Sequence, residues 1–465
     1  MLKLPNEFTA KYRKLLGPKA DQLFAAMNDE EPKKAFRINA LKQKQDIGYA
    51  LTKPVLGINN AYYGQVSGSD PEWVSGMVYS QEPAAMFPAQ IAQVKPGEKV
   101  LDLCAAPGGK STALAEQLKG DGLLVANDIS ASRAKVLREN LERWGVTNAL
   151  ITNESPARLA QHFNNFFDKI VVDAPCSGEG MFRKNPDAVS YWSQDYVLTC
   201  QSRQKEILAA ATEMLRPGGE LIYSTCTFAP EEDEQIVSWL AQTYSFEILP
   251  ITLSNTNCAT GNPDWADQNP ALTNTVRFWP FDELGEGQFV ARLQKPASSV
   301  IAKAKFQRQK RKREKASTRH LTNQEVELIA PVLKPFNLPS ALSEWSTHCL
   351  VSHDHVFLPA LTTNIAHLKI LNNGFELGLL KKNRFEPSHQ LAMVLSQVEQ
   401  KQVLELSQPD FTAFLHGETL RGQDKKMQGF ILLSSQHLIF SFGKNTRDGV
   451  LKNFYPKGLR ILKKD

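Results

Sequence analysis

No uninterrupted apolar run in this chain approaches the roughly 20 residues that cross a bilayer as a helix, so a membrane-spanning protein is not expected. The first residues, Met1-Leu2-Lys3-Leu4-Pro5-Asn6-Glu7, lack the apolar core of a signal peptide. Six cysteines, at 104, 176, 200, 226, 258 and 349, are too few in 465 residues for a disulfide framework and fit a reducing compartment. There is no internal repeat, and no low-complexity tract besides one basic segment. What is left is a cytoplasmic globular protein, 42% hydrophobic and 22% charged, long enough for several domains. The net charge is +5, yet residues 301–320 alone carry nine Lys or Arg and one Glu, so the rest is slightly acidic. A solvated linker or helix face is the ordinary reading of such a run, and charge alone leaves polyanion contact open.

The chain divides by pattern. Residues 1–75 read as a small α/β lead-in domain, with helical spacing from Phe8 to Met27 interrupted at Gly17-Pro18 and strand alternation over Ala35-Phe36-Arg37-Ile38-Asn39. Residues 76–296 alternate strand and helix. Strands are expected at 100–103, 122–126, 169–173 and 220–224, and helices at 111–118, 130–144, 195–215 and 231–244. Ser130 is placed to cap the second helix with its hydroxyl. This alternation predicts a doubly wound parallel sheet. A basic linker over 297–320 and a mixed middle segment over 321–380 follow. Short alternating strands from 381 to 465 predict a small β-rich domain, with a hairpin through Ser434-Ser435-Gln436.

Chemistry concentrates where the expected parallel strands end, which is where ligands bind in open α/β sheets. After the first strand comes Cys104-Ala105-Ala106-Pro107-Gly108-Gly109-Lys110-Ser111, a glycine turn into a helix that leaves backbone N–H groups for a ligand. It is neither a phosphate loop nor the dinucleotide fingerprint, because the glycines those motifs need are missing. Asp128 ends the second strand, where a ribose-binding acid belongs. A nucleoside cofactor without a pyrophosphate fits better than a dinucleotide, and S-adenosylmethionine is such a molecule.

Two cysteines sit just past two further strands, Cys176 in Asp173-Ala174-Pro175-Cys176 and Cys226 in Ser224-Thr225-Cys226. A lone cysteine there is more often a small buried hydrophobe, but two on one rim suggest chemistry. Neither has a C-x-x-C partner, which argues against metal. A thiolate adding to carbon 6 of a pyrimidine makes carbon 5 electron-rich enough to accept a methyl group. The second thiol can assist the elimination that restores the ring, and Asp173 is placed to bind the base edge. Position alone does not say which cysteine attacks. His348, Cys349, His353 and His355 cluster without the spacing of a standard zinc site and read as a solvated loop.

These stretches resemble the RNA cytosine-C5 methyltransferases of the NOL1/NOP2/Sun family. The match runs over roughly 30–296 and takes in Phe36-Arg37-Ile38-Asn39 and Arg277-Phe278-Trp279-Pro280. A second, PUA-like match extends from Arg384 to Arg460. The resemblance implies a Rossmann-like S-adenosylmethionine-dependent methyltransferase core, with Cys226 as nucleophile, Cys176 aiding product release and Asp173 binding cytosine near the cofactor. It implies that Cys104, Ala105, Ala106, Pro107, Gly108, Gly109, Lys110 and Asp128 hold S-adenosylmethionine. Where the family commonly has an acid or amide near the adenine, this chain has Ser155, beside Asn153 and Glu154. The implied partner is 16S ribosomal RNA within the small ribosomal subunit, modified at a decoding-region cytosine by a monomeric enzyme. Lys444, Lys452, Lys457 and Arg460, with the Arg308–Arg313 run, would grip phosphates. The rival readings are a cytosine-C5 methyltransferase of another rRNA or tRNA cytosine, an amino-group methyltransferase, which needs an Asn/Asp-Pro-Pro-aromatic motif absent here, and a non-catalytic RNA-binding scaffold.

Overall fold

The computed structural model describes residues 2–461 apart from 30, 255, 283, 298–317, 364, 366 and 423–425. The Arg308–Arg313 run and most of the basic linker therefore lie outside the described residues. Among those described, no helix is long and apolar enough to cross a membrane.

The centre is a ten-stranded sheet, eight of whose strands we label β1 (Lys99–Asp102), β2 (Leu123–Asn127), β3 (Ala149–Thr152), β4 (Phe167–Asp173), β5 (Leu215–Thr225), β6 (Val276–Phe278), β7 (Gln288–Gln294) and β8 (Ile370–Asn373). Their spatial order is β6-β7-β5-β4-β1-β2-β3-β8. Strands β1 to β5 are parallel, while β7 runs antiparallel to β5. The central strands are apolar because helices cover both faces. Val100, Leu124 and Ile222 pack into one apolar cluster and Leu101, Val125, Ile170 and Leu221 into another, all fully buried. With every parallel strand pointing the same way, Asp102, Asp128, Asp173 and Cys226 come to one rim. The chain order changes direction between β1 and β4, which opens the crevice there.

Before this sheet, helices Asn6–Leu16 and Lys19–Asp29 are separated at Gly17, whose φ of +56° ends the first. A three-stranded antiparallel sheet, Ala35–Ile38 flanked by Ala61–Tyr63 and Val78–Ser80, completes this region. Its last strand lies beyond the boundary expected at residue 75.

The C-terminal half differs from expectation in three ways. The hairpin Phe375–Lys381/Arg384–Pro387 lies across the expected boundary at 381, as part of a five-stranded sheet that also takes in Arg319–His320, Leu350–Ser352 and His355–Leu358. Cutting the chain at 381 would divide that sheet. The segment with His348, Cys349, His353 and His355 is a helix end and a hairpin rather than a solvated loop. Cys349 is fully buried, His353 turns the hairpin at φ +55°, and His355 pairs with Glu376 at 2.7 Å. Finally, the middle segment lends β8 to the central sheet, antiparallel to β3.

The last domain pairs Gly429–Ser435 with Leu438–Asn445 through Gln436 and His437, both at positive φ. Lys444 and Lys452 lie opposite each other on adjacent strands there and Lys457 is exposed, while Arg460 packs beneath Gly417.

Candidate active site

β4 and β5 are neighbours in register, with Asp173 beside Ser224, so the loops that follow leave the sheet side by side. The first carries Cys176 and the second begins at Cys226. Their sulfurs are 3.4 Å apart, and both residues are partly buried. The bond to Cys226, and then burial, raise the Cys176 pKa well above that of an ordinary thiol, and either sulfur can donate in the pair.

Close approach of the two loops depends on Gly180. Its N–H donates to the Cys226 carbonyl at 2.8 Å, and a Cβ added there would stand 2.7 Å from that oxygen and 2.9 Å from the Glu286 carbonyl. Gly180→Val is therefore expected to push the Cys176 loop away from Cys226. Turnover should fall about 100-fold, the usual cost of an ångström of misplacement. Single-turnover kinetics with cofactor affinity measured in parallel would show this, and a variant as fast as wild type would refute the dependence.

The Cys176 loop is braced from below. Glu232 accepts from the Ser177 amide at 3.0 Å, from the Ser177 hydroxyl and from Gln204 at 2.8 Å, and Ser177 also meets Thr227 at 2.8 Å. Glu179 is fully buried and accepts from the Tyr12 hydroxyl, from Trp192 at 2.7 Å and from the Phe228 amide at 3.0 Å. Burial pushes Glu232 up to about 7. The folded chain thus holds that proton more tightly than the unfolded chain, whose carboxyl has the ordinary value near 4.3. The resulting stability is present below that value and lost as pH rises through about 7. Glu232→Gln keeps an acceptor for Ser177, and its new amide can donate to Gln204 Oε1, a buried oxygen with no partner among the described residues. Melting curves at pH 5 and pH 8 should differ less for this variant than for wild type; equal differences would remove Glu232 as the cause.

Asp173 lies between the sulfurs and the glycine turn. One carboxylate oxygen accepts from Ser224 at 2.7 Å and Gln288 at 3.0 Å, and the other accepts from Lys110 at 2.7 Å. Burial works against the Lys110 charge, but Asp173 outweighs it and the pKa is raised. Asp173 is therefore held as one half of an ion pair. Beneath them Asp102 accepts from Ser111 at 2.6 Å, and burial pushes it up to about 7. Cys104 is partly buried on the same rim, its pKa raised by burial and by Asp102, Asp173 and Asp128.

The turn Ala105–Gly109 is anchored on both sides. The Ala105 amide donates to Asn127, Asn140 donates to the Pro107 carbonyl, and Arg37 of the first sheet donates to the Gly109 carbonyl at 2.9 Å. Gly108 has φ +117°, outside the reach of an L side chain, and the helix Gly109–Leu118 begins there without a side-chain cap. Asp128 accepts from the amides of Ala106 at 3.3 Å and Ser130 at 2.9 Å, joining this turn to the end of β2. The Ser130 hydroxyl does not cap the helix Ala131–Trp144, as expected from sequence, but meets Ser132. Ser155 caps the short helix Pro156–Ala160 by accepting from the Arg158 amide. The residues just before it tie it to the site: Glu154 exchanges two bonds with Asn127, and the Asn153 amide donates to the carbonyls of Asp128 and Ile129.

Comparison with known proteins bears on this arrangement. Residues 89–294 match the family model for 16S rRNA methyltransferase RsmB/F, and residues 4–83, 336–395 and 401–461 match the N-terminal, first C-terminal and PUA domains of RsmF. A ribosomal RNA small subunit methyltransferase F of Vibrio parahaemolyticus is 30% identical over 98% of this chain and 97% of its own length. The chain belongs to the RsmB/F family of 16S rRNA methyltransferases. Its counterpart in Salmonella heidelberg is 31% identical over 84% of this chain and 80% of its own. A solved methyltransferase homologue from Pyrococcus horikoshii superposes with a TM-score of 0.56 at 32% identity, over 63% of this chain and 96% of that one. NSun6 from the same organism, solved with SFG, shares the fold at TM-score 0.52 and 20% identity, over 63% of this chain and 99% of that one.

S-adenosylmethionine is the methyl donor of this RsmB/F core, and the donor set fits it. The uncapped start of the helix at Gly109 offers N–H groups to a carboxylate, and Asp128 offers acceptors to ribose hydroxyls. The sequence reading missed Ser224 and Gln288 as the groups that orient Asp173, and Ser177, Glu179 and Glu232 as the brace. The only signal for Gln288 is a polar residue just before the apolar run Phe289-Val290-Ala291.

Proposed function

We propose that this rRNA methyltransferase acts on carbon 5 of a decoding-region cytosine of 16S rRNA, within the small ribosomal subunit, through a covalent bond from Cys226 to carbon 6. The observation that carries this reading is the pair of sulfurs 3.4 Å apart beside the Lys110–Asp173 ion pair. Bound S-adenosylmethionine, held by Cys104 to Lys110 and Asp128, supplies an electrophilic methyl group. The residues of this chain do the rest.

The Cys176 thiol, by donating to Cys226, favours negative charge on the Cys226 sulfur. That sulfur bonds to carbon 6, and the electron pair of the 5,6 double bond becomes available at carbon 5. Asp173 accepts from the cytosine amino group. Its partner Lys110 stands ready to donate toward the ring. Once carbon 5 carries the methyl group, the Cys176 thiol passes its own proton to solvent and the resulting thiolate takes the carbon 5 proton; the raised pKa makes that thiolate a stronger base than an ordinary one. The carbon 6–sulfur bond then breaks and the double bond returns. The target cytosine must be unpaired or extruded to reach the sulfurs.

The test is to methylate both naked 16S rRNA and small subunits from cells lacking the enzyme, then map 5-methylcytosine by bisulfite sequencing. One newly protected cytosine is expected. A methyl group on an exocyclic amine, or on another base, would overturn the proposal.

A further inference from the structure

Three neighbouring strands lay a polar row across one face of the sheet at its catalytic rim. Asp173 of β4 lies opposite Ser224 of β5, and Ser224 lies opposite Val290 of β7. Side chains two residues apart on a strand share a face, so Gln288 stands on that face with Val290. Deeper on the same face, Val171 and Ile222 join Val290 in an apolar cluster. Gln288 is 3% exposed, and an amide so buried needs a partner. Its Nε2 donates to Oδ1 of Asp173 at 3.0 Å. The backbone before it is fixed in place. The Glu286 amide donates to Glu82 at 2.8 Å, and a Cβ on Gly287 would stand 2.4 Å from the Phe228 ring.

The effect of this bond follows from the acceptor positions of Asp173. A carboxylate has about four, two on each oxygen. Oδ1 accepts from Ser224 and Gln288, and Oδ2 accepts from Lys110. One position remains, on Oδ2 beside the Lys110 ammonium, and it is open to a ligand because the Asp173 side chain is 31% exposed. The rim therefore presents a single acceptor next to a donor. The pairing edge of cytosine is the complement, an N4 amino donor next to the N3 acceptor. Uracil is the reverse, and would set O4 against the carboxylate and N3–H against the ammonium. We propose that Gln288 is a positioning residue for base selection, which fills Oδ1 and so leaves Oδ2, beside Lys110, as the acceptor for the cytosine amino group. The inference rests on the cytosine reading above and adds to it the residue that makes the carboxylate selective. Without Gln288 a position on Oδ1 is free, and the carboxylate can turn about its Cβ–Cγ bond, a soft torsion. Ser224 does not prevent that, because a hydroxyl rotates to follow its partner.

The full chain is to be assayed on 16S rRNA ligated to carry cytosine or pyrimidin-2-one at the position mapped by bisulfite sequencing. Pyrimidin-2-one keeps N3 and carbon 6 and lacks the N4 amino group. Gln288→Leu should lower kcat/KM on the cytosine RNA about tenfold, the value of one hydrogen bond to a charged group. On the pyrimidin-2-one RNA it should change kcat/KM by less than about twofold, the scatter of independent effects. A residue that merely supports the strand lowers both by one factor, and that result overturns the proposal. Gln288→Glu can donate to Asp173 only as the acid, the two carboxylates then sharing a proton. Its preference for cytosine over pyrimidin-2-one, relative to wild type at each pH, should rise from pH 8 to pH 6. Cys176, Cys226, Lys110 and Asp102 face both RNAs alike, so the ratio isolates residue 288, and a ratio flat across that range overturns the proposal. Calorimetry should show S-adenosylmethionine binding to both variants as to wild type; if Gln288→Leu fails to bind it, Gln288→Glu decides. A wild-type chain that leaves every cytosine of 16S rRNA unmethylated would instead count against the reading on which the inference rests.

Discussion

Cys226→Ser is expected to abolish methylation, by on the order of 10⁴-fold or more, and to leave no covalent RNA adduct. Cys176→Ser is expected to do the opposite to the adduct, trapping the protein on RNA as a complex that survives denaturant. The asymmetry follows from what each sulfur does. A serine at 226 has the shape but not the acidity to become an anion near neutral pH, so carbon 6 is never attacked. A serine at 176 leaves attack and methyl transfer intact and removes the base that takes the carbon 5 proton, so the carbon 6–sulfur bond cannot be expelled. The 3.4 Å between the sulfurs makes a swapped assignment geometrically conceivable. Denaturing gels of each variant with 16S rRNA and S-adenosylmethionine separate the two cases, and a trapped complex from Cys226→Ser would reverse the roles.

How much of this was legible beforehand depends on whether the signal was local. Apolar runs ended by turn residues located β1, β2, β4 and β5, because a strand buried on both faces must be apolar throughout its length. The rim followed, since parallel strands deliver what comes after them to one side. Pairings between distant segments were not legible. β8 joins β3 across more than two hundred residues, and nothing in Ile370-Leu371-Asn372-Asn373 distinguishes it from any short surface strand. Serine chemistry misled for a related reason. Ser130 has the residue type of a cap, yet its hydroxyl meets the Ser132 hydroxyl rather than a helical amide. The brace under Cys176 was hidden because Glu232 and Glu179 look like surface acids until the fold surrounds them with donors.

Arg277→Met is expected to destabilise the protein by about 3–5 kcal/mol, the cost of leaving buried charge without its partner. Arg277 is 2% exposed on β6 and reaches both acids at the start of the helix Glu234–Tyr244. It bonds to Glu234 through two nitrogens, one of them at 2.7 Å, and lies 2.9 Å from Asp233. It also donates to the Phe228 carbonyl at 3.2 Å, and its guanidinium is 5.0 Å from the Trp265 ring. Burial raises the Asp233 pKa well above the ordinary carboxylate range, with Arg277 opposing that rise. Without the arginine, protonation of Asp233 recovers part of the loss, so the variant should lose less stability at pH 5 than at pH 8. Arg277→Lys restores a charge but not the planar fork, and should recover only part of the difference. Urea midpoints at both pH values decide this, and a Met variant within 1 kcal/mol of wild type would mean the two acids are neutral in the native protein. The consequence reaches the active site through Thr225, which donates to Asp233 at 2.6 Å and immediately precedes Cys226. Loss of Arg277 should therefore loosen the nucleophile's strand end before it unfolds the sheet, and turnover should fall at temperatures where the circular dichroism is still that of the native protein.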